Sequence, residues 1–212
     1  MKSIICENYK IFIGENILRN VQLGSYKKIC LLSDKNQNNN ILDYFLKEIK
    51  SEFDIIEIES SEINKNISSV LNIWNFLSQN NYNKNSLIIN LGGGVICDVG
   101  GFCASTFKRG IDFLNIPTTL LSMVDASIGG KNGINFLGFK NQIGTFKNPI
   151  SVYIDTNFLN TLETNQWLSG YVEIVKSALI YDSDFWILLS SKFYKDHNIC
   201  LLYTSPSPRD LR

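Results

Sequence analysis

The sequence has little histidine, no excess of charge of either sign and no long apolar run. Lys and Arg together number 20, and so do Asp and Glu, so the formal net charge is zero and nothing indicates a nucleic-acid partner. No apolar run approaches the roughly 20 residues of a membrane span. The N-terminus, with Lys2 followed by Glu7, does not resemble a secretory signal. We therefore expect a cytoplasmic protein with neither a nucleic-acid nor a membrane partner.

The cysteines number five and lack the spacing that is typical of a metal site. An odd number of scattered cysteines favours small buried thiols in a reducing compartment over a disulfide framework. The remaining composition is that of an ordinary globular protein, with 212 residues of which 44% are hydrophobic, 12% aromatic and 19% charged. This length suffices for one large core or two small ones.

Short apolar strands alternate with stretches whose apolar residues recur at helical spacing. The pattern predicts strands at 28–34, 53–58, 86–90 and 113–121, an earlier strand or hairpin at 10–17, and helices over 42–53 and 67–77. This alternation predicts an α/β fold with a mostly parallel sheet and right-handed crossovers. Because ligands bind at the carboxyl ends of such strands, Asp34, residues 60–65 and residues 92–98 are expected to share one edge.

A glycine-rich run at 91–102 follows the predicted strand at 86–90 and precedes a helix-compatible stretch at 102–107. A strand, a glycine turn and a helix start together suit a phosphate, because backbone N–H groups and the helix dipole both favour an anion there. The run matches neither G-x-G-x-x-G nor a Walker A loop. Its spacing alone therefore leaves a phosphate site and a plain tight turn open, and the shared edge favours a dinucleotide site.

A second cluster, at 125–133, combines Asp125 and Lys131 with three glycines. It is either a flexible turn or part of a binding site. The neighbouring pairs 108–109 and 140–141 add further cations and an amide, and such a set suits a phosphorylated, oxygen-rich substrate.

The character changes to helix from Asn157 onward. We therefore predict an NAD-binding α/β domain at 1–156 and the beginning of an all-α domain at 157–200. Residues 201–212 hold two of the four prolines and two of the four arginines, and we expect them to be a non-native tail. Within the helical part, Glu173 and Lys176 are i,i+3 neighbours, so they form either an ion pair or a site with Glu173 as metal ligand or base.

Five segments, in their order and spacing, resemble those of the 3-dehydroquinate synthases, a family of sugar-phosphate cyclases. They are residues 92–95 with Asp98, 117–121, 124–131, 140–144 and 169–176. The resemblance implies a Rossmann-like domain, NAD, a divalent metal (zinc or cobalt) and a homodimer. It also implies a lyase of the shikimate pathway that converts 3-deoxy-D-arabino-heptulosonate 7-phosphate into 3-dehydroquinate and phosphate.

The resemblance also implies roles for single residues. Those expected to bind the cofactor are Asp34, Glu62, Lys65, Gly93, Gly94, Val95, Asp98, Thr118, Thr119, Lys131, Lys140, Phe158, Leu159, Asn160 and Thr161. Those expected to act on the substrate are Asp125, Lys131, Lys140, Asn141, Lys176 and, across a dimer interface, Arg109. Glu173 is implied to be the first metal ligand.

The sequence departs from the family pattern in two places that matter. Asn132 stands where the family has Thr, and the family's two later metal-binding histidines have no counterpart, since the single histidine, His197, lies in no matching motif. One carboxylate cannot hold a catalytic zinc, which takes three protein ligands. We therefore expect this chain to lack the metal and to be inactive by itself. Another sugar-phosphate cyclase, of the inosose or valiolone type, and a non-catalytic nucleotide-binding remnant remain the alternatives.

Overall fold

The computed structural model describes residues 1–37 and 39–191, so His197 and the predicted tail at 201–212 lie outside the described residues. The strands are β1 (Lys2–Ile5), β2 (Lys10–Gly14), β3 (Lys28–Asp34), β4 (Asp54–Ile58), β5 (Ser86–Gly92), β6 (Asp112–Pro117), β7 (Lys131–Phe136), β8 (Phe139–Phe146) and β9 (Ser151–Asp155). The α-helices are α1 (Asn39–Glu48), α2 (Ile67–Gln79), α3 (Gly94–Thr106), α4 (Thr164–Tyr181) and α5 (Ser183–Ser191).

Seven strands form one sheet in the order β1-β2-β9-β6-β5-β3-β4. Every pairing in it is parallel except that of β1 with β2. Strands β7 and β8 form a separate antiparallel hairpin. The predicted α/β fold with a mostly parallel sheet is confirmed.

Both faces of the sheet are covered, which explains why β5 is buried along its whole length. Successive side chains of a strand point to opposite faces, so Leu87 and Ile89 join one core cluster while Ile88 joins the other. Helices α1, α4 and α5 pack on the first face, and α2 and α3 pack on the second. The first cluster thus contains side chains from both sides of the boundary expected at 156/157.

The order of the strands reverses between β3 and β5. From β3 the chain adds β4 on one side, and from β5 it adds β6 and β9 on the other. In open α/β sheets, the crevice for a ligand lies at the carboxyl ends of the strands beside such a reversal. The last residue of β3 is Asp34, and β5 leads directly into the glycine run.

Two expected helix boundaries are wrong. Helix α3 begins at Gly94, eight residues before the expected start at Phe102, because most of the glycine run is helix. Its glycines serve close packing: a Cβ on Gly100 would lie 1.9 Å from Asn90 Oδ1. Helix α1 ends at Glu48, so Phe53 lies outside the helix although its ring contacts Phe45, with 5.3 Å between centroids.

No α-helix in the described part of the chain is long and apolar enough to cross a membrane.

Candidate cofactor cavity and its surroundings

A cavity of about 520 Å³ opens at the reversal point between β3 and β5. This volume is typical of small-molecule sites. The predicted cofactor residues that line it are Asp34, Gly93, Gly94, Val95, Thr118, Thr119, Phe158 and Thr161. These residues follow four different strands, so the folding of the sheet brings them together.

The N-terminus of α3 faces this cavity. Gly93 is the N-cap and provides no side chain to bond the first N–H groups of the helix. These groups and the helix dipole suit an anion. The helix start is also closely packed, because a Cβ would lie 3.3 Å from Thr119 Cγ2 if built on Gly93 and 3.1 Å from Ala126 Cβ if built on Gly94. Glycine therefore lets the turn of residues 118–126 approach the helix.

Asp34 joins two strand ends at the rim of the cavity. Its Oδ1 accepts hydrogen bonds from the backbone N–H of Asn36 at 3.0 Å and of Ser60 at 3.1 Å, and its Oδ2 accepts one from the Ser60 hydroxyl. These contacts hold the carboxylate in one orientation. A carboxylate at the end of a strand in such folds suits the hydroxyls of a ribose.

The turn after β6 supplies the hydroxyls of the cavity. The backbone N–H of Thr118 donates to Gly92 O at 3.0 Å, and the hydroxyls of Thr119 and Ser122 lie 2.9 Å apart. Phe158 and Thr161 come from a 3-10 turn over Thr156–Thr161. Because such a turn has about three residues per turn, residues 158 and 161 share one side. Leu159 is instead buried in the core and Asn160 is exposed, and neither lines the cavity.

A second group of predicted site residues lies in a separate cluster around the β7–β8 hairpin. Lys65, whose side chain is 6% exposed, forms an ion pair with Asp98 and donates to Asn141 Oδ1 at 2.6 Å. Asp98, Lys131 and Asn141 line a second cavity of about 280 Å³. The cofactor residues predicted as one set therefore fall into two groups.

The hairpin is fastened to the loop before α2. Asn135 Nδ2 donates to Glu62 Oε1 at 2.9 Å, and Lys140 Nζ lies 3.7 Å from the same atom. Asn141 has a left-handed backbone, with φ of 52°, and its N–H donates to Asn135 Oδ1 at 2.9 Å. Lys140 is well exposed, whereas Asn141 reaches the Lys65 ion pair.

Asp125 and Arg109 lie at opposite ends of α3. Asp125 belongs to a π-helical turn over Ser122–Ala126, which packs near Gly94. Arg109 is exposed beyond the far end of the helix, and 13 helical residues span about 20 Å. Arg109 therefore does not reach the cavity of its own chain. Lys108 and Arg109 both have positive φ, of 52° and 63°, which is strained for non-glycine residues.

Glu173 and Lys176 form an ion pair on α4, with 3.0 Å between Oε2 and Nζ. In the described ranges, no three His, Cys, Asp or Glu side chains are grouped so that they could hold a metal. A catalytic zinc takes three protein ligands. The residues described therefore fit a dinucleotide but do not by themselves fit the implied metal.

Some residues that line the first cavity were not predicted from the sequence. Asn36 and Gln37 follow Asp34 directly, and the rule that ligands bind at strand ends would have included them. Glu163, Gln166 and Ser169 come from the start of α4 and the residue before it. No local pattern marks this second group, because only the packing of α4 on the sheet brings it to the cavity.

The fold and this cavity define a doubly wound α/β protein with a small-molecule crevice at its reversal point. The family model of the 3-dehydroquinate synthase N-terminal domain matches residues 55–169, so the chain belongs to that family. The predicted family membership is confirmed.

Curated relatives agree with the family model. The 3-dehydroquinate synthase of Pelagibacter ubique (strain HTCC1062) is 44% identical over 191 residues, which are 87% of this chain and 52% of the relative. That of Helicobacter pylori (strain G27) is also 44% identical over 191 residues, covering 90% of this chain and 54% of the relative. The chain thus spans about half the length of the curated relatives it matches.

Solved structures share the fold. A 2-deoxy-scyllo-inosose synthase, complexed with carbaglucose-6-phosphate, NAD⁺ and Co²⁺, has a TM-score of 0.80 at 26% identity, over 86% of this chain and 53% of that one. A 2-epi-5-epi-valiolone synthase from Streptomyces hygroscopicus subsp. jinggangensis 5008, with NAD⁺ and Zn²⁺, has a TM-score of 0.80 at 27% identity, over 90% and 55%. An iron-containing alcohol dehydrogenase from Thermotoga maritima, at 18% identity and a TM-score of 0.66, shares the fold alone.

Proposed function

We propose that this chain is the NAD-binding part of a 3-dehydroquinate synthase, a lyase of the shikimate pathway in aromatic amino acid biosynthesis. The reaction converts 3-deoxy-D-arabino-heptulosonate 7-phosphate into 3-dehydroquinate and phosphate. The observation that carries the proposal is the cavity at the N-terminus of α3, where Gly93, Gly94 and Asp34 meet. The family membership supports it, and so do the NAD⁺-bound cyclases of the same fold.

Residues of the first cavity would each hold a different part of NAD. The N–H groups of residues 94–95 at the start of α3 bind the pyrophosphate, and Asp34 accepts hydrogen bonds from a ribose. Thr118 and Thr119 would hold the nicotinamide side, and Phe158 and Thr161 also line the cavity. NAD held by these residues would supply hydride-transfer chemistry.

Residues of the second cavity would hold the substrate. Lys131 and Asn141 line that cavity and offer a cation and an amide to phosphate or hydroxyl oxygens, and Lys140 adds a cation beside it. Asp98 orients the Lys65 side chain through their ion pair. Asp125, on the turn that touches Gly94, would reach the substrate between the two cavities, and Lys176 would hold it from α4.

The implied zinc or cobalt enters no step here, because Glu173 is the one proposed ligand in the described part of the chain. Its side chain is 30% exposed and pairs with Lys176, so it is accessible to a metal completed by other residues. We propose that the complete protein is a cytoplasmic homodimer in which Arg109 reaches the substrate phosphate of the other subunit. The exposed position of Arg109, about 20 Å along α3 from the cavity, supports this arrangement.

The test of the proposal is calorimetric titration of the 212-residue chain with NAD, together with an assay for phosphate release from the heptulosonate phosphate. We expect NAD to bind and phosphate release to be absent. Gly94→Val should abolish binding, because its side chain would press on Ala126. Thr106→Val is the control, because it also introduces valine into α3 but at the end of the helix away from the cavity, where threonine already has nearly the same shape. Failure of the wild-type chain to bind NAD would refute the proposal.

Substrate choice separates this function from that of another cyclase. The chain is 44% identical to a 3-dehydroquinate synthase but only 26–27% identical to the inosose and valiolone synthases. This difference favours the heptulosonate phosphate as the substrate. Calorimetry with the heptulosonate phosphate and with glucose 6-phosphate, each on the NAD-loaded chain, distinguishes them. Preference for glucose 6-phosphate would indicate a cyclase of the inosose type.

A further inference from the structure

Two asparagines lie side by side in the centre of the otherwise largely apolar sheet. Asn90 of β5 and Asn115 of β6 are direct partners in the strand register. They are 0% and 2% exposed, and Asn90 Nδ2 donates to Asn115 Oδ1 at 2.8 Å. Burying an amide lowers stability unless it is hydrogen-bonded, so the presence of two amides at these positions calls for a structural explanation.

The pair continues into the turn that carries Asp125. Asn115 Nδ2 donates to the carbonyl oxygen of Ser127 at 3.0 Å. Ser127 directly follows the π-helical turn Ser122–Ala126 and precedes Gly129 and Gly130, which have φ of 80° and 64°. Such a glycine pair is flexible by itself. The bond from Asn115 therefore ties this segment to the centre of the sheet, next to two glycines whose own bonds run to Tyr9 and Lys147.

Stability alone does not account for the pair. Asn90 Oδ1 is buried without a hydrogen-bond partner in the described structure, and it lies 1.9 Å from where a Cβ on Gly100 would be. An unpaired buried carbonyl lowers stability, and two apolar side chains of similar size would avoid that loss. What the amides add is orientation, because they fix the position of one backbone carbonyl.

We infer that Asn115, oriented by Asn90, is a positioning residue for the segment of residues 122–131. It sets the positions of Asp125 and Lys131 on either side of Ser127. The inference rests on the proposed function, since it treats the cavity as the NAD site. The segment packs beside Thr119, so it should affect the nicotinamide half of NAD more than the adenosine half.

The test compares two variants of the full 212-residue chain with the wild type. Asn90→Leu/Asn115→Leu removes both amides, and with them the unpaired Asn90 oxygen and the donor to the Ser127 carbonyl. Asn115→Leu alone removes the donor to Ser127 and leaves Asn90 in place, and it serves if the double variant does not fold. Tyr82→Phe removes a bond of 2.8 Å to Asp54 and is the control for a general loss of stability.

The measurements are thermal unfolding, amide hydrogen exchange of residues 122–131, and the affinities for NAD and for ADP-ribose, which lacks the nicotinamide. For the double variant we expect little change in thermal stability, because loss of the unpaired Asn90 oxygen offsets loss of the bond to Ser127. We also expect faster exchange in the segment and about fivefold weaker NAD binding, which corresponds to the energy of one hydrogen bond. ADP-ribose affinity should stay the same. Tyr82→Phe should lower the melting temperature without changing the exchange or the ratio of the two affinities.

Unchanged exchange of residues 122–131 in the variants would overturn the inference. Equal loss of NAD and ADP-ribose affinity would also overturn it, because a general structural effect would then suffice. If the wild-type chain binds neither ligand, the proposed function fails. In that event faster exchange in the variants would still support the positioning role of Asn115, and unchanged exchange would refute it.

Discussion

Gly170 of α4 lies directly against the backbone of Leu121. A Cβ on Gly170 would be 2.5 Å from the Leu121 nitrogen and 2.6 Å from Leu120 Cβ, and a backbone atom has no room to move aside. Because Gln166 and Ser169 of α4 line the cavity, this contact determines how closely the helix covers it.

Gly170→Ala should therefore destabilise the chain, although alanine normally favours a helix over glycine by about 1 kcal/mol. We expect a loss of about 1–3 kcal/mol in the free energy of unfolding, as in other overpacked sites, together with weaker NAD binding. Urea unfolding and calorimetry measure both quantities. Val172→Ala, at a position that is 62% exposed on the same helix, should have little effect. A Gly170→Ala variant as stable as the wild type would contradict the contact.

Lys65→Met should be far more damaging than Lys140→Met. The Lys65 and Asp98 side chains are 6% and 17% exposed, and removing one partner of a buried pair costs about 3–5 kcal/mol. The Lys140 side chain is 75% exposed and its nitrogen lies 3.7 Å from Glu62, so its pair contributes less than about 1 kcal/mol. Chemical denaturation of the two variants measures the difference. Equal effects would show that the Lys65 pair is not a stabilising contact.

Asp34→Asn should weaken NAD binding by about tenfold, because a carboxylate accepts stronger hydrogen bonds than an amide does. The variant should also discriminate less against NADP, whose 2′-phosphate the negative charge repels. Calorimetric titration with each dinucleotide gives the two affinities. Asp43→Asn, on the exposed side of α1, should change neither. A loss of affinity confined to NADP would exclude Asp34 from the ribose site.

Tyr26 should make stability fall at alkaline pH. Burial first, and then the hydrogen bond of 2.8 Å to Asp112, raise the pKa of Tyr26 from 10.0 to about 12. The folded state therefore favours the neutral phenol. Its contribution to stability is fully present below pH 10, the unfolded value, and is lost as pH rises through about 12.

In Tyr26→Phe this alkaline loss should be smaller. The loss of stability is the difference between the urea unfolding midpoints near pH 9 and near pH 11.5. Tyr181→Phe, at an exposed position, is the control. If Tyr26→Phe loses as much stability as the wild type over this interval, Tyr26 is not the titrating group.

Zinc or cobalt should not raise the melting temperature of the 212-residue chain, and a chelator should not lower it. The reason is that residues 1–37 and 39–191 contain no group of three or more His, Cys, Asp or Glu side chains that could hold a metal, and so none that includes Glu173. Thermal scans with each metal and with EDTA test this. A saturable increase that Glu173→Gln abolishes would instead show that Glu173 and a residue outside those ranges hold the metal together.

Much of the fold was predictable because it depends on local patterns. The strand at Lys28–Asp34 was predicted at its observed ends, since a continuous apolar run suits a strand buried on both faces. The start of α3 was misplaced because glycine is a poor helix former, and only its packing against Asn90 and Asn132 explains glycine inside that helix. Phe53 was assigned to the helix because it continues the helical spacing of the apolar residues over 42–53, but it packs on Phe45 from the loop after α1.

The sequence by itself determined the α/β class and the strand ends where site residues gather, because periodicity follows from backbone geometry. The family followed from the resemblance of five segments in their order and spacing. Only the tertiary structure decided which of these residues meet. It separated the Lys65 cluster from the Gly93 cavity, linked Asn115 to Ser127 and placed Gly170 on Leu121. Such contacts join residues far apart in the chain. They depend on the order of the strands in the sheet and on how closely the helices pack against it. A local sequence pattern carries no information about either.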